Sequence, residues 1–309
     1  MSRKLEGVLT AIVSPVDADH RFNETAFREQ IERQLAAGNG IFCGGTNGEF
    51  FALTETEKLA VAAVAVEQVN GRAPVVGHVG EISTAECIRM GRQVVAQGVD
   101  AVAAITPYFV PLTQDELADH FTAIADALDV PVYLYNIPAR TGNTIAPETA
   151  RRLAAHPRIA GIKDSAGSYE SLKGYLDVAR DIDDFAVFNG PDSLIHQGFV
   201  DGCAGCVSGL ANVAPREINL IWSNFQAGRI EASRLAQDKI SSLREALYRV
   251  AFAPAAVKRA VRLLGYPVGD SKYPVRIGAE QEQVILDVLR RHDITAVSYT
   301  HLRAHETRG

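Results

Sequence analysis

The sequence lacks both a hydrophobic run long enough to cross a membrane and an excess of basic residues. No uninterrupted apolar stretch reaches the roughly 18 residues that a membrane-spanning helix needs. The 31 Lys and Arg residues are outnumbered by 37 Asp and Glu residues, which gives a formal net charge of -6. The basic residues are scattered rather than clustered. We therefore expect neither a membrane protein nor a nucleic-acid-binding protein, since the latter usually presents a basic face.

Cysteine is also scarce, with four residues in 309. These four do not form the pattern of a disulfide framework, which favours a reducing, cytoplasmic environment. Cys203 and Cys206 have the spacing of a redox pair or of half a zinc site, but no second pair of this kind exists. They lie in an apolar segment, where cysteine acts as a small hydrophobic residue. The histidines before the C-terminal tail show no ligand spacing either, so we expect no metal.

Eight short apolar segments alternate with longer stretches of helical periodicity, and this alternation is the dominant pattern. Most of the segments are apolar throughout, which is typical of parallel strands that are buried on both faces. Eight such repeats predict an α/β fold, a (β/α)₈ TIM barrel. An open, doubly wound sheet is the alternative, although it usually has fewer repeats. The predicted strands span residues 7–15, 40–45, 74–80, 101–107, 131–137, 159–165, 185–190 and 203–209.

Three further helical stretches follow the eighth predicted strand. We interpret residues 1–229 as the catalytic barrel and residues 230–295 as a helical extension of the same domain, with helices over 230–248, 253–264 and 279–292. Capping-box patterns predict helix starts at Thr54, Ser83 and Thr113. Residues 297–309 lack periodicity and resemble a translated sequencing adapter, so we interpret them as a non-native tail. A natural tail is the alternative, and in either case His301 and His305 are not expected to bind metal.

Lys163 is the most informative single residue. Active sites of barrels lie at the C-terminal ends of the strands, and Lys163 occupies this part of the sixth predicted strand. A lysine in a buried strand is costly unless it is paired or functional. Removing an amine from water favours the neutral form, which can attack a ketone and form a Schiff base. The alternatives are a lysine that extends to solvent at the strand end, or one that is paired with Asp164.

Two other strand ends carry groups that suit the same chemistry. Tyr135, near the end of the fifth strand, could relay protons, although an ordinary barrel aromatic is the alternative. The turn Gly-Gly-Thr46-Asn47-Gly after the second strand offers backbone N–H groups, a hydroxyl and an amide, which together suit a carboxylate. A glycine-rich turn alone is weak evidence. Glu49 could orient this turn through backbone N–H groups, and we assign it no catalytic role.

Four motifs taken together are more specific than any one of them. GGTNGEF (44–50), TPYF (106–109), YNIPARTG (135–142) and GIKDS (161–165) fall in this order on strands two, four, five and six. In this arrangement the chain resembles the dihydrodipicolinate synthase / N-acetylneuraminate lyase family of class I, Schiff-base-forming pyruvate aldolases. The resemblance covers about residues 5–295. It implies a lyase that forms homotetramers (dimers of dimers) and needs no metal or organic cofactor.

The resemblance also implies roles for individual residues. Lys163 would form the Schiff base, Tyr135 would relay protons, and Thr46 would act with them at the catalytic centre. Thr46 and Asn47 would hold the carboxylate of the 2-oxo acid, and Arg140 would meet an anionic group of the aldehyde partner. The remaining residues implied to line the pocket are Gly190 and Val207, with Phe109, Tyr108 and His78 as further candidates. For His78, a structural role is the stronger alternative.

Two positions depart from the pattern of the synthases. Asn47 stands where they usually carry a second threonine, and Phe109 stands where they usually carry a second tyrosine. These departures favour a hydroxylated 2-oxo acid or a sugar acid as substrate, in the manner of 4-hydroxy-2-oxoglutarate aldolases. The alternative is 4-hydroxy-tetrahydrodipicolinate synthase, which joins pyruvate to aspartate semialdehyde, and Arg140 fits this alternative. A Schiff-base sugar-acid dehydratase and a non-catalytic 2-oxo acid sensor are further alternatives.

Overall fold

The computed structural model describes residues 5–295, and within this range eight parallel strands close into a barrel. Each strand pairs with the next along the chain, and the eighth pairs with the first, with Val8 opposite Cys206. The predicted (β/α)₈ barrel is therefore confirmed, and the open sheet is excluded. The strands are β1 (Gly7–Ala11), β2 (Gly40–Cys43), β3 (Val75–His78), β4 (Ala101–Ile105), β5 (Val132–Asn136), β6 (Ile159–Asp164), β7 (Ala186–Asn189) and β8 (Gly205–Ser208).

The strands are apolar on both faces because each face meets a different part of the core. Successive side chains of a strand point to opposite faces. One set fills the interior of the barrel, including Phe42, Tyr133 and Phe188. The other set, including Leu134 and Ile162, packs against the surrounding helices. Polar residues such as Lys163 are exceptions within this apolar interior, and they lie near the end of the barrel where the site forms.

Twelve α-helices lie in residues 5–295, and most of them surround the barrel. Before the eighth strand these are α1 (Glu24–Ala36), α2 (Glu55–Val69), α3 (Thr84–Val95), α4 (Gln114–Ala127), α5 (Pro138–Thr141), α6 (Pro147–Ala154), α7 (Tyr169–Ala179) and α8 (Ile195–Asp201). After it come α9 (Pro215–Gln226), α10 (Ile230–Tyr248), α11 (Ala253–Leu263) and α12 (Ala279–Arg291).

The three predicted capping boxes have different outcomes. Thr54 and Thr113 form complete boxes with Glu57 and Glu116, so these two predictions are confirmed. Ser83 is the N-cap of α3, but its side chain makes no capping hydrogen bond, so the predicted box is wrong there. The glutamate of this motif, Glu86, forms a salt bridge with Arg89 one turn further along the helix instead.

The last three helices lie where the sequence predicts them, and α10 packs against α9 and against the segment after β7. This packing places residues of α10 and α11 beside the end of the barrel that carries the site. The division into a barrel up to residue 229 and an extension from residue 230 stays a prediction. The predicted tail over 297–309 lies outside the described residues.

Candidate active site

Lys163 is buried inside the barrel near the C-terminal end of β6, with a relative exposure of 5%. Its Nζ atom lies 3.9 Å from the centroid of the Tyr135 ring and 4.6 Å from that of the Phe42 ring. No acidic side chain in residues 5–295 lies within ion-pairing distance of this amine. The amine therefore lies against aromatic faces rather than beside a carboxylate.

Asp164 does not pair with Lys163, because adjacent residues of a strand point to opposite faces. The Asp164 carboxylate accepts hydrogen bonds from the side-chain amide of Asn136 (2.9 Å) and from the backbone N–H of Ala166 (3.1 Å). Burial raises the pKa of Asp164, although these hydrogen bonds act in the opposite direction. The structure therefore excludes the pairing that the sequence left open as an explanation for the buried lysine.

Tyr135 stands beside Lys163 because the two residues are partners in the register of β5 and β6. The Tyr135 hydroxyl lies 3.0 Å from the Oγ1 atom of Thr46, which follows β2. Two strand ends that are distant in the sequence thus meet through one hydrogen bond. A hydroxyl pair of this kind can pass a proton, because each member can act as donor or acceptor.

The turn that carries Thr46 and Asn47 is fixed from several directions. Ser14 donates a hydrogen bond to the Gly48 carbonyl (2.8 Å), and the Glu49 N–H donates to the Thr46 carbonyl (3.1 Å). Glu49 has a positive φ of 59°, and its carboxylate is fully buried. This carboxylate accepts from the backbone N–H of Lys272 (2.9 Å), which lies outside the turn, so it links the turn to the segment before α12.

Glu49 also forms a buried ion pair that the sequence did not reveal. Its Oε1 atom lies 2.9 Å from Nζ of Lys258 in α11, and both side chains are 1% exposed. Burial lowers the pKa of Lys258, whereas the charge of Glu49 raises it. The pair ties the turn after β2 to the C-terminal helices. The two residues lie far apart in the sequence, so no local sequence pattern could have predicted that they pair.

The predicted residues surround one cleft of about 380 Å³ at the C-terminal ends of the strands. Its walls contain every residue assigned above to catalysis or to substrate binding: Thr46, Asn47, Tyr135, Arg140, Lys163, Gly190 and Val207. The structure thus brings these seven residues together. Their chemical roles stay predictions.

Gly190 is required where the wall of the cleft is tightest. A Cβ atom at this position would lie 2.1 Å from Oγ of Ser165 and 2.7 Å from the Asp164 carbonyl. The Gly190 N–H donates a hydrogen bond to that carbonyl (2.7 Å). A side chain here would therefore force apart the segments that follow β6 and β7.

Among the residues that line the cleft and that the sequence did not identify, three have ionisable side chains, namely Asp192, Arg244 and Tyr248. The buried Asp192 carboxylate accepts hydrogen bonds from Ser208 Oγ, from the Leu210 N–H (3.2 Å) and from the Tyr248 hydroxyl (3.0 Å). Burial raises the pKa of Asp192, while the hydrogen bonds lower it. Asp192 follows β7, so the rule that active-site residues lie at strand ends could have predicted it. Arg244 and Tyr248 belong to α10, where that signal does not apply.

The three further candidates, His78, Tyr108 and Phe109, lie outside this cleft. The ring of His78 packs 4.5 Å from that of Phe50, and burial lowers the pKa of this histidine to about 3. The Tyr108 ring also packs against Phe50, edge-on, with the ring centroids 5.9 Å apart. Phe109 is 93% exposed and has a φ of 75°. A positive φ is uncommon for a bulky residue, so this backbone is strained.

Two absences hold for residues 5–295. No group of three or more His, Cys, Asp or Glu residues is placed to hold a metal ion, and no helix is long and apolar enough to cross a membrane. Cys203 and Cys206 are buried free thiols, and burial raises the pKa of Cys203 to about 12. Both side chains lie in the apolar interior, as expected for cysteines that act as small hydrophobic residues.

Fold and cleft together define an α/β-barrel enzyme whose reactive groups lie at the C-terminal ends of the strands. The profile of the Dihydrodipicolinate synthetase family matches residues 4–290. The chain belongs to this family, which confirms the resemblance drawn from the four motifs, and it is a lyase of the aldolase type.

Individual relatives agree with this assignment. An uncharacterised DapA-like lyase of Halobacterium salinarum is 35% identical over 273 residues, which cover 88% of this chain and 88% of that protein. A 4-hydroxy-tetrahydrodipicolinate synthase of Methanospirillum hungatei is 34% identical over 292 residues, which cover 93% of this chain and 99% of that protein. The chloride-inhibited dihydrodipicolinate synthase of Acinetobacter baumannii, solved with pyruvate, has a TM-score of 0.88 at 28% identity, with 94% and 99% covered.

Proposed function

We propose that this lyase is a pyruvate-dependent class I aldolase that acts through a Schiff base on Lys163. The observation that carries the proposal is the buried amine of Lys163, which has no carboxylate partner in residues 5–295 and lies 3.9 Å from the Tyr135 ring. An amine without a carboxylate partner is free to act as a nucleophile toward a ketone. The pyruvate bound by the relative from A. baumannii supports the choice of 2-oxo acid.

The reaction would proceed through an imine. The amine of Lys163, in its neutral form, attacks the keto carbon of pyruvate. The carbinolamine then takes up a proton and loses one water molecule, which leaves a protonated imine. A proton then leaves the methyl carbon to give an enamine. The enamine carbon forms a C–C bond with the carbonyl carbon of the aldehyde, whose oxygen takes up a proton. Hydrolysis of the new imine releases the product and restores Lys163, and cleavage follows the same steps in reverse.

Tyr135 and Thr46 are proposed to move the protons of these steps. Their hydroxyls lie 3.0 Å apart beside Lys163. Thr46 and Asn47 would hold the pyruvate carboxylate in the turn after β2, while Gly190 and Val207 shape the opposite part of the pocket. Arg140 would meet an anionic group of the aldehyde, since its guanidinium is exposed at the cleft and stacks 4.6 Å above the Phe252 ring. The mechanism needs no metal and no organic cofactor.

For the physiological substrate we propose a hydroxylated 2-oxo acid or a sugar acid. Asn47, which lines the cleft, places an amide rather than a hydroxyl in the turn. Phe109 lies outside the cleft of this chain, and its ring cannot donate or accept a proton. The second candidate is 4-hydroxy-tetrahydrodipicolinate synthase. The name of the relative from M. hungatei favours it, as does Arg140, whose guanidinium suits the carboxylate of aspartate semialdehyde.

The two candidates are separated by assaying pyruvate with a set of aldehydes and measuring C–C bond formation. Aspartate semialdehyde, coupled to the next reductase, is the critical member of the set. We expect weak or absent turnover with it, and better turnover with hydroxylated aldehydes or with sugar acids in the cleavage direction. A kcat/KM of about 10⁴ M⁻¹s⁻¹ or more with aspartate semialdehyde would establish the synthase instead. Release of water without C–C cleavage would indicate the dehydratase, and binding without turnover would indicate the sensor.

We further propose a homotetramer, a dimer of dimers, in the cytoplasm. Large apolar side chains are exposed on the segments that follow β2 and β4, including Phe109 (93%), Phe51 (45%) and Val110 (44%). Burying them in an interface would remove apolar area from water. Sedimentation equilibrium at micromolar concentration tests the assembly, and a mass equal to one chain would refute it.

A further inference from the structure

Arg244 is the least explained charged residue of the cleft. It lies on α10, half-buried, and lines the same cleft as Lys163. Its Nε atom is fully buried and has no hydrogen-bond acceptor in residues 5–295. Its guanidinium lies 5.2 Å from the centroid of the Tyr248 ring. A buried donor without an acceptor is costly, so a group of this kind calls for an explanation.

The charges that line the cleft do not balance. Arg140 and Arg244 are cationic, and neither has a carboxylate within ion-pairing distance in the described part of the chain, although the charges of Arg244 and Asp192 attract each other. Asp192 is the single acidic residue in this lining, and both its oxygens already accept hydrogen bonds, from Ser208 and Tyr248 among others. An incoming substrate therefore meets more positive than negative charge.

Pyruvate alone does not account for this excess. In the proposed function its carboxylate is held by Thr46 and Asn47, and its keto carbon is bound to Lys163. Arg140 is exposed, so water weakens its attraction for an anion. Arg244 is half-buried, and its planar fork of N–H donors matches the two oxygens of a carboxylate. Because the environment of Arg244 contains less water, a carboxylate bound there would interact more strongly.

We propose that Arg244 is a specificity-determining residue that binds the distal carboxylate of the aldehyde partner, together with Arg140. The inference rests on the proposed function, because it assumes that pyruvate occupies the other end of the cleft. It narrows the substrate class to aldehydes that carry a carboxylate, and equivalently to 2-oxo acids with a second carboxylate at the far end. Neutral aldehydes of the same length would leave the Arg244 donor without an acceptor.

The test compares matched aldehydes in the intact enzyme and in the Arg244→Met variant. Succinic semialdehyde carries the distal carboxylate, and butanal has the same chain length without it. With pyruvate as the common partner, we expect Arg244→Met to lower kcat/KM for succinic semialdehyde by about 10- to 100-fold, the effect of losing a charge-assisted hydrogen bond. The value for butanal should change by less than about threefold. Equal losses for both aldehydes, or no loss for either, would overturn the inference.

Arg234→Met is the matched control. Arg234 lies on the same helix, but it is exposed and forms salt bridges with Glu231 and Asp238. This variant removes the same charge at a distance from the cleft, so we expect both aldehydes to react as with the intact enzyme. A loss of discrimination in Arg234→Met would show that the overall charge of the protein, rather than Arg244, selects the carboxylate.

A binding measurement separates this inference from the proposed function. Calorimetric titration with 2-oxoglutarate and with 2-oxobutyrate needs no turnover. The intact protein should bind the dicarboxylate at least about tenfold more tightly, and Arg244→Met should remove that preference. If the preference is present and Arg244-dependent while no pyruvate adduct forms on Lys163, the aldolase proposal fails and the Arg244 site stands. If adducts form but the intact protein shows no preference, the Arg244 inference fails alone.

Discussion

Two buried lysines, Lys163 and Lys258, differ in their surroundings. Lys258 is 1% exposed and forms an ion pair with Glu49 at 2.9 Å, between α11 and the turn after β2. Lys163 is 5% exposed, inside the barrel, and it has aromatic rings rather than a carboxylate beside its amine in the described chain. Both positions remove an amine from water, but only one of them supplies the opposite charge.

The difference in surroundings distinguishes a lysine with a structural role from one with a catalytic role. A buried charge is tolerated when it is paired and hydrogen-bonded, as Lys258 is. An amine without a paired carboxylate is free to attack a ketone, which is the step that an imine mechanism requires. Lys258 should therefore matter for folding and Lys163 for catalysis.

Replacing Lys163 by methionine should have the largest effect on catalysis. Lys163→Met removes the proposed nucleophile, so we expect kcat for pyruvate–aldehyde condensation to fall by about 10⁴-fold or more. Its melting temperature should be unchanged or higher, because no buried partner is left behind. Turnover assays and calorimetric melting check both expectations. Substantial residual turnover in Lys163→Met would place the nucleophile elsewhere.

Tyr135→Phe tests whether the Tyr135 hydroxyl, beside Lys163, moves protons. The substitution keeps the ring that packs against Lys163 and removes the hydroxyl that meets Thr46. We expect kcat to fall by about 10²- to 10⁴-fold, the usual effect of a proton-transfer group, with little change in pyruvate affinity. Stopped-flow turnover and equilibrium binding of pyruvate distinguish the two effects. An unchanged kcat would show that protons move by another route.

Lys258→Met tests the structural side. It leaves the Glu49 carboxylate buried without its cation, so we expect the free energy of unfolding to fall by about 3–5 kcal/mol. The double variant Glu49→Leu with Lys258→Met should recover part of this loss, since both charges are then absent. Chemical denaturation of the single and double variants provides the measurement. A single variant as stable as the parent would mean that the pair contributes nothing to the fold.

The smallest expected effect is that of a chelator. The imine itself serves as the electron sink that a metal ion would otherwise supply. Exhaustive dialysis against a chelator should therefore leave condensation activity within about twofold of the untreated enzyme. Activity that is lost on chelation and restored by a divalent ion would contradict the claim that the imine on Lys163 is the electron sink.

Sequence patterns predicted the parts of this site that obey local rules. The alternation of apolar strands and helices located all eight strands, and the strand-end rule identified Lys163, Tyr135 and Thr46. Arg244 and Tyr248 were missed because they reach the cleft from α10, whose position depends on tertiary packing. The Glu49–Lys258 pair was missed for the same reason. Ser83 satisfies the capping pattern in sequence, but its side chain is not used as a cap.

The most direct test of the central claim is to treat the intact enzyme with pyruvate and borohydride and to map the modified peptide by mass spectrometry. Borohydride reduces an imine to a stable amine and so marks the lysine that formed it. We predict one reduced pyruvyl group, on the peptide that contains Lys163, and none on the peptide that contains Lys258. The absence of any adduct, or an adduct on a different lysine, would contradict the account.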